Sequence, residues 1–327
     1  MKSKNDTLTL TEMKLMSRNV AATIALVALM VLTVLASLYA AQPAPSTSSL
    51  NVSPQPIHST HPMIPAPVPP SPQISSAQKA SQGCSLPAAQ CWASYNWGGY
   101  AVTGPTSSVT DVKGSWTVPA VVPSVGATCL DTQVTWFDAS FWVGIDGFSS
   151  NTVEQTGTSS DCFYGQVSYY AWYEFYPAGS VTIQSLTLNP GDRITAEVKY
   201  SNGVFTTTIT DLTTKQTFTS PATAVPGAEE NSGEWIAESA LASQGILALT
   251  DFISVTFTND YATVGTHSGI SQPITAFGSN LQWIEMINYN WPTIPGVKGS
   301  PSALTLGLPC QKVCQKSFNV NWVSSGP

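Results

Sequence analysis

The chain is expected to fold as an all-β protein, an antiparallel sandwich of two packed sheets. Three observations predict this. From Tyr95 onward apolar and polar residues alternate with period two. Thr, Val, Ile, Tyr and Trp dominate those runs, and such side chains suit a pleated, half-buried surface. Turn clusters then cut the pattern into many short segments, the signature of sheet packed on sheet. The expected strands are Val109–Val118, Thr135–Ile145, Val167–Tyr176, Val181–Leu188, Arg193–Tyr200, Val204–Asp211, Trp235–Ala237 and Ile253–Phe257. Asn189-Pro190-Gly191-Asp192 and Asp211-Leu212-Thr213-Thr214 carry turn chemistry between them. Asn202-Gly203, flanked by alternating runs, predicts a tight hairpin. Only Glu238–Ser243 hints at a helix, and it is short.

Ahead of the sandwich, composition changes twice. Residues 1–19 carry Lys14 and Arg18 next to Val20–Ala41, a run of 22 residues without a charge. That run is long enough to cross a bilayer, and the flanking cations favour keeping the N-terminus inside. Two readings stay open: a retained transmembrane helix, or a signal helix cleaved near Ser37-Leu38-Tyr39-Ala40. Both put the rest of the chain outside the cytosol, secreted or anchored on the outer face of the membrane. Residues 42–83 hold ten prolines among Ser, Ala, Gln and Thr. Proline lacks the N–H a ladder needs, so this stretch is expected to be an extended stalk or a pro-segment. The sandwich domain then occupies 84–327.

Charge narrows the function classes. Only 9% of the 327 residues are charged. Beyond Gly83 there are 17 acidic residues against 7 basic ones, a balance of about −10. Nucleic acid demands clustered Lys and Arg, so it is excluded as a partner. In acid the carboxylates neutralise and the few cations repel one another little, which suits acid tolerance. Six cysteines, Cys84, Cys91, Cys129, Cys162, Cys310 and Cys314, all follow the stalk. An even count in a translocated domain argues for disulfides. Proximity in sequence suggests Cys84–Cys91, Cys310–Cys314 and Cys129–Cys162. No metal site is expected, because His267, the one histidine of the domain, is far in sequence from every cysteine.

The chemistry is reached by elimination. Imidazole-dependent nucleophilic catalysis would rest on His267 alone, which sits in the turn-like run Gly265-Thr266-His267-Ser268-Gly269. No nucleophile elbow, phosphate loop or zinc-binding helix motif is present. Carboxylates and side-chain amides remain. In a strand, Tyr170, Trp172, Glu174 and Tyr176 share one face and Tyr173 and Phe175 the other. The first face suits a groove for an extended ligand. Glu234 and Glu238, four residues apart on one strand, are roughly 13 Å apart and too distant for a close carboxylate pair.

Several ordered segments resemble the glutamic peptidases of the eqolisin type. They are Asn96-Trp97-Gly98-Gly99, Trp142–Gly147, Gln155–Gly157, Ala171–Pro177, Glu234–Glu238 and Thr256-Phe257-Thr258-Asn259. The resemblance spans about Asn96 to Asn259. It implies two curved antiparallel sheets of the concanavalin-like or jelly-roll kind and an acid endopeptidase that needs no cofactor. It implies a catalytic pair Gln155 and Glu234, with Trp142, Asp146, Trp172, Glu174 and Tyr176 around the substrate, an unfolded or extended polypeptide. The chain departs from the fungal pattern at Ser159 and Tyr170, where those members carry Asp; this bears on the groove's hydrogen bonds and pH optimum. Membrane segment and stalk are not implied by the family. Two other readings remain at this stage. Aromatics beside carboxylates also suit a carbohydrate-binding or glycoside-hydrolysing sandwich, with Glu174 and Glu234 as the acid pair. A non-catalytic adhesion module on a stalk is the third.

Overall fold

The computed structural model describes residues 86–87, 90–122, 136–163, 165–242, 245–265, 269–287, 297–304 and 317–325, with 297–304 given by its backbone course alone. All belong to the unit Pro54–Pro327. The expected membrane or signal segment, the stalk, His267 and four of the cysteines (Cys84, Cys129, Cys310, Cys314) lie outside the described residues. Cys91 and Cys162 are each disulfide-bonded.

The described residues are strands joined by turns, with no α-helix among them. In chain order they are β1 (Cys91–Ser94), β2 (Trp97–Thr103), β3 (Val109–Thr117), β4 (Trp136–Asp138), β5 (Ser140–Ile145), β6 (Val153–Phe163) and β7 (Gln166–Tyr176). Next come β8 (Val181–Thr187), β9 (Arg193–Ser201), β10 (Val204–Asp211), β11 (Gln216–Thr219), β12 (Ser232–Glu238), β13 (Leu241–Ala242) and β14 (Gly245–Ile246). The last are β15 (Ala248–Leu249), β16 (Ser254–Val264), β17 (Ser271–Pro273), β18 (Leu281–Ile287), β19 (Val297–Leu304) and β20 (Ser317–Trp322).

Hydrogen-bonded ladders arrange these strands in two layers. One runs β1-β18-β2-β12-β5-β6-β7-β8. The other runs β11-β10-β9-β3-β16-β20. Strand β19 pairs with both β18 and β20 and joins the layers along one edge. Pairing is antiparallel throughout these layers except between β1 and β18. The main core lies between the layers and explains the period-two pattern. Tyr100, Phe141, Val143, Trp235 and Ala237 point inward from the first layer; Val112, Trp116, Ile194, Val198, Phe257 and Phe318 meet them from the second. Two indole N–H groups cross the interface, from Trp116 to the Thr158 hydroxyl (2.9 Å) and from Trp235 to the Lys113 carbonyl (2.9 Å). Buried indoles need such acceptors.

A second apolar cluster covers the opposite face of the first layer. Trp97, Ala101, Trp142, Val153, Trp172, Ile236 and Ile284 are buried there, with Phe148, Tyr170 and Tyr176 half-buried around them. Both faces of this layer are therefore wrapped, and that is where the sequence pattern misleads. Strand β6 reads VEQTGTSSDCF, polar on both faces and buried along nearly its whole length, so it shows no alternation by which the sequence could mark it as a strand. The expected Thr135–Ile145 strand is two, β4 and β5, interrupted at Ala139. The helical hint at Glu238–Ser243 is overturned: Glu238 ends β12, and Leu241–Ala242 pairs with Gly245–Ile246 in a small hairpin. The Asn202-Gly203 hairpin is present, with φ of 54° and 80° between paired Ser201 and Val204. That is the conformation a two-residue primed turn requires.

Candidate active site

The site begins with strand register. Across the first layer, Glu234 of β12 is directly opposite Gly144 of β5. Gly144 is opposite Gln155 of β6, and Gln155 is opposite Glu174 of β7. Four adjacent strands thus place Glu234, Gly144, Gln155 and Glu174 in one transverse row. Parity puts their side chains on the face of the outer apolar cluster, since Ile236, Trp142, Val153 and Trp172 share it. Two strand spacings separate the Cα atoms of Glu234 and Gln155, about 10 Å. Between them stands only hydrogen. A Cβ at position 144 would lie 2.9 Å from the Trp142 ring and 3.2 Å from the Gln155 Cβ. The gap lies between the side chains of Glu234 and Gln155.

Electrostatics differ along the row. Glu234 is fully buried, and among the described residues neither of its carboxylate oxygens meets a donor in full hydrogen-bond geometry. Burial first, then the charges of Asp146 and Glu154, hold its pKa well above the ordinary value; the nearby Ser232 hydroxyl and Phe148 amide oppose that rise. The Gln155 amide N–H donates to Glu174 Oε2 at 2.9 Å. Glu174 is itself pushed well up, chiefly by burial and then by the charge of Glu238, with the Gln155 bond acting against this. So the amide is oriented by Glu174, while the carboxyl two strands away has the Ser232 hydroxyl and the Phe148 amide close by.

The remaining expected groove residues divide by role. Asp146, at the turn after β5, is buried and accepts three backbone N–H bonds, from Glu229 (2.8 Å), Glu230 (2.9 Å) and Asn231 (3.0 Å). Its carboxylate ties the β5–β6 turn to the loop that leads into Glu234. Trp142 is buried, donates to Glu238 Oε2 at 2.8 Å and packs edge-on to Trp97 with ring centroids 4.8 Å apart. Trp172 is buried beside them, whereas Tyr176 is half-buried at the rim. His267 lies outside the described residues.

Beyond Trp142 is an acidic group that spacing alone did not reveal. Glu238 accepts from Asn96 Nδ2 (3.2 Å) as well as from Trp142. Ser140 and Ser159 share a hydrogen bond of 2.7 Å, and the Tyr170 hydroxyl donates to Asp161 Oδ2 at 2.6 Å. Asp138 and Asp161 stand against each other, both raised chiefly by burial. Between Ser159 and Tyr170, the two positions read from the sequence as departures, Asp161 of β6 supplies a carboxyl that Tyr170 reaches.

Comparison with known proteins agrees with this frame. The family model described as "Peptidase A4 family" matches residues 95–289. Aspergillopepsin-2 of Aspergillus niger is 36% identical over 186 residues, which cover 53% of this chain and 65% of that protein. Scytalidopepsin B of Scytalidium lignicola is 33% identical over 140 residues, 42% of this chain and 48% of that protein. The chain thus spans less than two thirds of either relative. A crystal structure of scytalido-glutamic peptidase with a transition state analog inhibitor superposes with a TM-score of 0.53 at 23% identity, covering 70% of this chain and 98% of that one. That likeness shows the fold.

Proposed function

The chain belongs to the Peptidase A4 family, and from that premise we propose that it is an acid-active glutamic endopeptidase in which Glu234 and Gln155 act on one water. The row Glu234–Gly144–Gln155–Glu174 carries this reading. Ionised Glu234 takes a proton from water, whose oxygen attacks the scissile carbonyl carbon. A Gln155 N–H donates to the oxyanion that forms, the kind of contact whose loss costs about 3–4 kcal/mol. Glu234 then passes its proton to the leaving nitrogen as the C–N bond breaks. The ionised form of Glu234 is the base, so the low-pH limb of the rate profile reports its ionisation. Glu174 positions the amide, and Asp146 positions the loop before Glu234. The half-buried rim of the outer face, with Phe148, Tyr170 and Tyr176, receives an extended polypeptide.

Acid activity fits the buried carboxyls. Outside the pair, Glu154, Glu174, Glu238, Asp138, Asp161 and Asp260 are all raised, burial first among the causes. Neutral in acid, they cost little to bury; ionised at higher pH they cost much more. Disulfide bonding of Cys91 and Cys162 supports a place outside the cytosol, secreted or anchored through Val20–Ala41. The glycoside reading is disfavoured because Glu174 is engaged by Gln155, which stands between it and Glu234. The test is cleavage of denatured protein from pH 2 to 7 by the unmodified chain, Glu234→Gln and Gln155→Ala. Both variants should remain folded, the first inactive and the second slowed on the order of 10²–10³-fold; full activity in either defeats the pair.

A further inference from the structure

The row that carries Glu234 continues on its other side. Glu234 is opposite Ala101 of β2, and Ala101 is opposite Gln282 of β18. Glu234 is therefore flanked by two glutamines, Gln155 across a glycine and Gln282 across an alanine. Gln282 is held by this chain's first strand. Trp92 of β1 is opposite Ile284, a member of the outer cluster, so its side chain rises on the same face. Its indole N–H donates to Gln282 Oε1 at 2.8 Å. Its ring meets Phe148 edge-on, with centroids 5.3 Å apart at 86°. Phe148 follows the Asp146–Gly147 turn, and its amide lies near Glu234.

Trp92 is 43% exposed, and no other aromatic among the described residues has comparable exposure. An indole with its N–H satisfied and its ring in water is an unfilled apolar surface. Ala101, small and buried, stands between Glu234 and Gln282 in the row, with the Trp92–Phe148 ring pair beside Gln282. Strand β1 lies outside the 95–289 span shared with the family.

Resting on the peptidase reading above, we propose that Trp92, Phe148 and Gln282 form a side-chain subsite that selects a large apolar residue, aromatic or long aliphatic, close to the scissile bond. The ring pair takes the side chain by apolar contact. Gln282, held by Trp92, supplies the polar end. Apolar pockets of this kind discriminate by about 10–200-fold for each methylene-scale difference, so the selectivity should be measurable.

The experiment uses peptides identical except at one position, scanned over the two residues on each side of the cleaved bond and carrying Phe, Leu or Ala. At one position the unmodified protein should prefer Phe or Leu over Ala by at least about tenfold in kcat/KM. In Trp92→Ala that ratio should fall towards one, and Trp92→Phe should restore most of it. Phe148→Leu, which keeps an apolar side chain, serves as a second variant and should shift the preference from Phe towards Leu. An active protein whose ratio is unchanged in Trp92→Ala and Phe148→Leu overturns the subsite while leaving the peptidase reading intact. No cleavage of any peptide by the unmodified protein from pH 2 to 7 overturns the peptidase reading, and the subsite with it.

Discussion

Glu154 is the residue through which the fold's dependence on acid can be measured. It precedes Gln155 on β6 and points to the opposite face, into the layer interface, where it is fully buried. Burial, then repulsion from Asp146, raises its pKa from 4.5 to about 9. The folded state therefore keeps a proton that the unfolded chain releases. Its stabilising share is complete below pH 4.5 and is lost as pH rises towards 9. One pH unit of that interval is worth about 1.4 kcal/mol, so by pH 7 the loss is about 3 kcal/mol. For a domain of this size each kcal/mol moves Tm by about 2–4 °C. Glu154→Gln removes the titration and keeps the shape; any cost of burying the amide is the same at every pH. Thermal melts of both proteins from pH 3 to 8 should show a nearly constant offset below pH 4. Towards pH 7 the gap should move by about 6–12 °C in the variant's favour. Parallel curves across the whole range would refute the argument that Glu154 is held protonated by its surroundings.

Two further predictions probe the row and the acidic group beyond it. Gly144→Ala places a methyl 2.9 Å from the Trp142 ring and 3.2 Å from the Gln155 Cβ. Urea unfolding should show a loss of about 1–3 kcal/mol, and kcat should fall on the order of 10²-fold, because about 1 Å of misplacement at a reacting pair costs that much; unchanged kcat would show that the gap is not needed. Tyr170→Phe removes the 2.6 Å donor to Asp161. Urea unfolding at pH 4 should show a loss of about 1–3 kcal/mol, the range for stranding a buried acceptor, and no change would mean that Asp161 finds another donor.

What the sequence determined by itself is local: alternation in β3, β7, β9 and β10, the Asn202-Gly203 turn, and the identity of the polar groups left once imidazole chemistry had been set aside. These features depend on residues a few positions apart, and period two or a left-handed turn is written at that range. The ordered motif segments named the pair 155 and 234 and the family, yet not the geometry between them. The tertiary structure decided that β6, polar on both sides, is a central strand, because its polar groups are buried by neighbours distant in sequence. It also decided that Gly144 is the gap, that Glu174 holds Gln155, that Asp146 anchors a loop, and that Gln282 and Trp92 stand on the far side of Glu234. Each of these depends on the register between strands separated by tens to nearly two hundred residues. Register is set by how two layers share one core, and a slip of one residue would turn every side chain of the row to the other face.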